Sequence, residues 1–578
     1  MEVNGGARTP RFSGYPRRRW RGRPRPPVLP EGPFPPLIQR LLALRGCRTP
    51  RDAEAFLYGG AARPNPFQLP DMEPAVERLR RACREGEVVA VYGDFDVDGT
   101  TACAILTEGL SALGARPVPY VPDRFAEGYG LNVQAIEGLR RRGATLLLTA
   151  DCGTSSIEEI AFARSRGMDV IVLDHHSAPP DLPAALALVN PKLPGADVDG
   201  MADLASCGLA LQLMAALYDA SGRAFDEERY VDLVALGTVC DVAPLTGANR
   251  DLVRRGLKAL ARAQRPGLRA LMETAGVDPA GVTTDHIAFA LGPRLNAAGR
   301  MAHARLALEL LTTADERHAR SLAAELDRLN ADRQRATNDA IARAGAAIER
   351  QGDRPLVMLG DSAFSSGIVG LVAARIAERW YRPAVVYEHG PSTSRASCRS
   401  IPEFDITGAL REMPELFLRF GGHHQAAGFT AENDRLDQIR ERLEAIAERE
   451  LAGVTLAPVI DIDAAVSLQA VTGEEIRWLR LLGPFGAGNP EPTFLARGLE
   501  VVDQRAVGAD GAHLRLRLRS GTVVWPAIAF RQAERAPAVG DRIDAVFCFS
   551  TSGRNGDAGL ELRIEDFRPS ETRASSAG

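Results

Sequence analysis

Lysine is nearly missing from this chain: Lys192 and Lys258 are the only two among 70 basic residues in a sequence of 578. Arginine carries the rest of the positive charge, which points to a GC-rich coding bias rather than to selection for guanidinium chemistry. The formal net charge is only -4, so a basic global field is excluded and any nucleic-acid binding must come from local grooves. No apolar run is long enough to span a bilayer and no secretory leader is recognisable, so a soluble, cytoplasmic protein without a membrane partner is expected. The eight cysteines (Cys47, Cys83, Cys103, Cys152, Cys207, Cys240, Cys398 and Cys548) contain no CxxC pair. Neither zinc ribbons nor a disulfide framework is indicated; several sit in apolar segments where a free thiol packs as a small hydrophobe.

The length calls for about three or four domains. Residues 1–35 are rich in Pro, Gly and Arg, without hydrophobic period, and are read as a disordered basic arm. From Val88 the pattern is apolar strand, polar turn, helix, repeated, as expected of an α/β domain with a doubly wound parallel sheet, placed at residues 36–312. Residues 313–350 are charge-rich with Leu322, Leu326, Leu329, Ile341 and Ile348 at helical spacing, and read as one long connecting helix. A second, smaller α/β domain is expected over 351–455. After Leu456 short alternating strands such as HLRLRLR predict a β-barrel over 456–570, followed by a tail at 571–578. In that barrel Leu514, Leu516 and Leu518 should face inward and Arg515, Arg517 and Arg519 outward. Trp525 is a candidate stacking platform, and Phe530 is expected in the core.

Four segments end hydrophobic runs with acids or histidines: YGDFDVDGTT at Tyr92, LTADCG at Leu148, VLDHH at Val172 and GTVCDVAPL at Gly237. Asp94, Asp96 and Asp98 alternate so closely that they repel one another, and a cation is the natural compensation; an acidic turn capping the next helix is the plain alternative. Asp151 ends a very apolar strand and could likewise be a helix cap. Asp174, His175 and His176 weigh more, because strand ends seldom carry three ionisable residues and imidazole with carboxylates suits Mn²⁺ or another transition ion. Asp241 lies in an apolar segment, strand or helix, where an acid is costly unless paired or metal-bound. Together these groups suffice for two divalent metals, the chemistry of phosphoester hydrolysis.

This ordered set resembles the DHH phosphoesterase superfamily, named for the triplet at Asp174 to His176. More closely, the chain resembles the RecJ family of single-strand-specific 5′ to 3′ DNA exonucleases. PDRFAEGYGL at Pro122, GPRLNAAGRM at Gly292, LNADRQ at Leu329, GGHHQAAGF at Gly421 and GPFGAGNPEPTF at Gly483 carry the likeness over about residues 35 to 568. The resemblance implies that Asp96, Asp98, Asp151, His175 and Asp241 ligate two ions, Mn²⁺ or Mg²⁺, with Asp151 between them. It makes Asp174 an orienting group and sets His176 against the scissile phosphate. Arg124 and Tyr129 would contact the strand near the metals, Arg294, Asn296 and Arg399 would hold the terminal phosphate, and His423 would meet a phosphate. It also implies an OB-fold for the barrel, a role in DNA repair and recombination, single-stranded DNA as substrate, and a helicase and a single-strand-binding protein as candidate partners; a monomer is expected.

The sequence departs from the family pattern in two places. Phe364, Ser365 and Ser366 stand where a Trp-His pair commonly precedes the turn at Gly367 to Gly370, and Ala396 and Cys398 stand where flexible glycines are usual. These departures put end binding, not the metals, in question. Two competing readings make different forecasts. A phosphodiesterase of short oligonucleotides or cyclic dinucleotides should end near the second domain, and a non-catalytic replication scaffold should have lost ligands.

Overall fold

The computed structural model describes residues 18–24, 26, 33–59, 64–128, 130–196, 198–508, 511–552 and 559–570. Two compact units emerge, one built from Arg63–Leu456 and the other from Arg17–Ala62 together with Ala457–Gly578. No helix among the described residues is long and apolar enough to cross a membrane.

The first unit opens with a five-stranded, wholly parallel sheet in the order Arg116–Tyr120, Val88–Gly93, Ala144–Ala150, Asp169–Leu173, Ala187–Val189. Strand residues alternate between two buried faces, which is why these runs read as continuously apolar. Val89, Val91, Leu146, Leu148, Ile171 and Leu173 pack beneath helices Met72–Glu85, Val97–Ala112 and Ser206–Ala220. Ala90, Tyr92, Leu147, Val170 and Val172 pack beneath Val133–Arg141 and Ile157–Ser165. The segment before Asp241, open between strand and helix from sequence, is the helix Val231–Cys240.

The expected connector is a single helix, Glu316–Gln351, whose first turn is capped by the Asp315 carboxylate accepting from the amides of Arg317 and His318. Its Leu322, Leu326 and Leu329 join the core of the first domain, and Ala340, Ala344 and Ile348 join that of the second. The second domain has a mixed five-stranded sheet: Arg419–His423, Ala426–Glu432, Thr393–Arg399, Ala384–His389, Val357–Asp361. Only the last two strands run parallel.

In the second unit, Phe494–Val507 pairs with both His513–Ser520 and Arg542–Ser552, and Val523–Ala529 and Gly559–Pro569 complete a closed barrel. Leu514, Leu516 and Leu518 are buried and the three intervening arginines exposed, as the alternation predicts. Trp525 is half-buried, with its ring 5.8 Å from that of Phe549.

Three expectations are corrected here. The basic arm is not structureless throughout: Arg19–Gly22 forms a strand paired in parallel with Val459–Ile462. Trp20 Nε1 donates to Asp566 at 2.8 Å, the Arg568 guanidinium lies 4.0 Å from the Trp20 ring, and Arg21 makes a two-pronged bond to Asp461. So short a strand held by one indole and ion pairs shows no hydrophobic period; the rest of the arm lies largely outside the described residues, as does the tail. Second, helices Pro36–Leu44 and Pro50–Tyr58 do not open the catalytic domain. Their Ile38, Leu41, Leu42, Ala53 and Leu57 share the barrel's core. An amphipathic helix shows that it needs a partner, not which one. Third, Phe530 is 53% exposed, edge-on to His513 at 5.3 Å, rather than in the core.

Candidate metal centre

In a parallel sheet of this order, the chain's first strand turns to one side and the third to the other. A crevice therefore opens between the carboxyl ends of Val88–Gly93 and Ala144–Ala150, where such folds bind ligands. Asp94 and Asp151 are the first residues past those two ends, and Asp174 the first past the next strand.

The chain after Gly93 turns into helix Val97–Ala112, with Asp96 as N-cap accepting from the Gly99 amide at 3.0 Å. The cap reading and the ligand reading are thus compatible. Asp98 lies in the first helical turn, buried; its two oxygens accept from the amides of Ser206 at 2.7 Å and Cys207 at 2.9 Å, at the start of helix Ser206–Ala220. A helix N-terminus is where a carboxylate is best stabilised. Gly237 passes so close that an added Cβ would lie 2.5 Å from Cys207 Sγ, 2.5 Å from Thr101 Oγ1 and 2.8 Å from Asp98 Oδ1. Asp151 adopts a positive φ of 71°, and its Oδ1 accepts from Ser206 Oγ at 3.0 Å. Asp241 caps the C-terminus of Val231–Cys240.

His175 is where these pieces meet. Its Nε2 lies 3.2 Å from Asp151, 3.8 Å from Asp98 and 3.8 Å from Asp241, yet it is buried and makes no hydrogen bond. Burial holds its pKa down to about 3, with the neighbouring His176 adding to the shift, so the ring is neutral. A buried acceptor nitrogen aimed into three carboxylates fits a metal ion, and a buried Asp94 Oδ1 is similarly without a partner. Three groups bring their ligand atoms within 4.8 Å of one another: Asp94 with Asp96 and Asp151, Asp98 with His175 and Asp241, and Asp151 with His175 and His176. Burial, then the neighbouring acids, raise Asp94 and Asp151 well above the carboxylate range, Asp98 to about 6 and Asp241 to about 8. So many acids at one point demand compensating positive charge. The residues fit two divalent cations, and the first group gives Asp94 a place the sequence left open.

Asp174 is fully engaged elsewhere. It accepts from the amides of Thr154, His175 and His176 and from His176 Nδ1 at 2.7 Å. Burial opposes its charge, but these bonds and the imidazolium outweigh it and hold its pKa below the usual range. In return, against a burial penalty, Asp174 lifts His176 to about 8. An orienting role thus has a visible basis.

Beside the acids lies a cationic group. Arg124 stacks over the Phe95 ring at 4.5 Å; burial lowers its pKa, Asp94 and Asp96 oppose that, and Arg399 adds to it. Arg300 donates to the Gly367 carbonyl at 3.2 Å and is held to about 9, first by burial, then by Arg124 and Arg333, with Arg399 contributing. Arg399 is lowered by burial as well. Sequence reasoning missed Arg300 although it lies within the quoted GPRLNAAGRM segment; only the fold distinguishes it from Arg294. Arg294 pairs with Asp327 on the long helix at 2.9 Å and donates to the Ala290 carbonyl. Asn296 is half-buried on the same helix, Gly292–Met301, and His423 is exposed at a strand end where its carbonyl accepts from Thr407. Tyr129 lies outside the described residues.

Two of the departures turn away from the cationic group and the others adjoin it. Ala396 and Cys398 face the second domain's core, while Arg395, Ser397 and Arg399 share the opposite face of the strand. Phe364 is buried, Ser365 Oγ accepts from the Gly367 amide, and the Ser366 amide donates to Glu388.

Comparison with known proteins agrees with this layout. Residues 88–238 match the DHH family N-terminal domain, 353–449 the DHHA1 domain and 462–566 the RecJ OB domain. The chain is 35% identical over 542 residues to the single-stranded-DNA-specific exonuclease RecJ of Bacillus subtilis, covering 93% of this chain and 68% of that protein. It is 35% identical over 561 residues to the RecJ of Salmonella typhimurium, covering 93% and 96%. The crystal structure of RecJ in complex with Mn²⁺ from Thermus thermophilus superposes with a TM-score of 0.81 at 31% identity, covering 96% of this chain and 80% of that one. The Mg²⁺ complex of the same protein gives 0.75 at 31%, covering 96% and 79%. With a parallel sheet ending in acids, the domain order matched throughout and these identities, the chain belongs to the RecJ family of single-stranded-DNA-specific exonucleases.

Proposed function

We propose that this chain hydrolyses single-stranded DNA stepwise from its 5′ end, releasing nucleoside 5′-monophosphates, with two divalent ions held by Asp96, Asp98, Asp151, His175 and Asp241. The observation that carries the reading is the buried, unbonded His175 Nε2 converging with three carboxylates. When bound, two such ions supply Lewis-acid stabilisation of the scissile phosphate and activation of a water. Asp151, reaching His175 from one side and grouped with Asp94 and Asp96 on the other, is suited to be shared. His176, oriented through its Nδ1 by Asp174, would face the scissile phosphate and, when protonated, donate to an oxygen of the phosphorus as negative charge develops there.

The arginines supply polarity. Arg124, Arg300 and Arg399 repel one another and are partly desolvated, so an anion with several oxygens is their natural partner. A 5′-terminal phosphate meets that need. Water attacks the next phosphorus and the bond to the terminal nucleotide's O3′ breaks. The shortened strand then again carries a 5′-phosphate, so each cycle presents the arginines with the same end. Time courses on strands labelled at either end, single and duplex, test this. Release of label first from the 5′ end of single strands is expected; 3′ label appearing first, or duplex cut as fast, would refute it.

A further inference from the structure

Helix Ser206–Ala220 begins at the metal centre with a serine outside every motif that pointed to the site. Ser206 is completely buried. Its amide donates to Asp98 Oδ2 at 2.7 Å and its hydroxyl to Asp151 Oδ1 at 3.0 Å. Asp98 groups with His175 and Asp241, whereas Asp151 groups with Asp94 and Asp96 on one side and with His175 and His176 on the other. One residue therefore grips both.

We propose that Ser206 is a positioning residue that fixes the register between two metal subsites through its hydroxyl, an inference that rests on Asp151 being shared between the two ions. Asp151 is surrounded by Asp94, Asp96, Asp98 and Asp174, which all act against its charge. Left to that repulsion the carboxylate would turn away. The hydroxyl opposes this, since an ionised carboxylate can only accept and a serine has one proton to give. The Asp151 oxygen it holds is also the one 3.2 Å from His175 Nε2, so the bond fixes which oxygen faces the imidazole and which is left for the Asp94 and Asp96 side. Groups that orient metal-bound carboxylates in this way typically account for about 10- to 100-fold in metal affinity. The amide bond to Asp98 is independent of the side chain, so substitution isolates the hydroxyl.

The test is Mn²⁺ titration of the full chain by electron paramagnetic resonance, comparing wild type with Ser206→Ala, Ser206→Gly and Ser206→Thr, each checked for its melting curve in chelator. The account expects the weaker of two Mn²⁺ sites to lose about 10- to 100-fold in affinity in the alanine and glycine variants. Threonine, which keeps the hydroxyl, should recover most of it. The Mn²⁺ concentration for half-maximal hydrolysis should move with the affinity, and the plateau rate should fall by less. Unchanged Mn²⁺ binding in the folded alanine and glycine variants would overturn the proposal. So would loss of the fold in both, which would assign Ser206 to packing. Asp151→Asn separates the underlying reading: if it binds two Mn²⁺ as wild type does, Asp151 is not shared, whatever Ser206 does.

Discussion

Gly237→Ala places one methyl group where the metal centre leaves no room. The new Cβ would stand 2.5 Å from Cys207 Sγ and Thr101 Oγ1 and 2.8 Å from Asp98 Oδ1. Comfortable contacts lie at about 3.5 to 4.0 Å, so each neighbour must retreat by roughly 1 Å. Cys207, Thr101 and Asp98 are all buried, and Asp98 is pinned by two helix-terminal amides. Overpacking of this kind costs about 1–3 kcal/mol, leaving a domain with so large a core folded. A displacement of about 1 Å in a group that orients the reaction costs on the order of 100-fold in rate. The variant should therefore melt a few degrees lower, bind single-stranded DNA at low salt nearly as wild type does, and release mononucleotides about 100-fold more slowly. Calorimetry with single-turnover assays at saturating Mn²⁺ decides it. A lowered melting temperature with a rate within about twofold of wild type would show that Asp98 can shift without consequence, and the proposed ligand set would lose that member.

Two further outcomes follow from charge and packing. In chelator, Asp241 and His176, both raised to about 8 in the fold, keep protons that the unfolded chain gives up near 3.8 and 6.5, while His175, already neutral in the fold, offsets only the part of a proton that its unfolded imidazole still holds just above pH 6.5. The native state then binds more protons, so stability should fall as pH rises from 6.5 through 8. Mn²⁺ should flatten that slope, and urea denaturation curves at several pH values would show it; a slope unaffected by metal would count against the site. A chain ended at Leu456 keeps Ile38, Leu41, Leu42 and Leu57 but removes the core they join, at about 1.5–3 kcal/mol per side chain. Size-exclusion chromatography should find it aggregated, whereas residues 63–456 alone should run as a single species; equal behaviour of the two would contradict the division of the chain.

The sheet and its acids were legible because parallel strands buried on both faces are continuous apolar runs, and an acid directly after such a run can lie only at the sheet's carboxyl edge. Asp94, Asp151 and Asp174 therefore declared their positions. Asp241 declared only that it was anomalous, since a ten-residue apolar segment suits either helix or strand. The two helices before residue 60 were given to the wrong domain because local pattern carries no address, and the short strand at Trp20 was read as part of a disordered arm because four residues show no period. Arg300 and Ser206 were invisible for a different reason: one of many arginines and an ordinary serine gain meaning only from the groups the fold sets beside them.

The most direct test of the central claim is the number and coupling of Mn²⁺ ions bound per chain, read by electron paramagnetic resonance. Two ions sharing Asp151 should show a spin-coupled signal that Asp151→Ala abolishes along with hydrolysis, while low-salt binding of single strands persists. A single site, or two uncoupled ions indifferent to Asp151, would contradict the account.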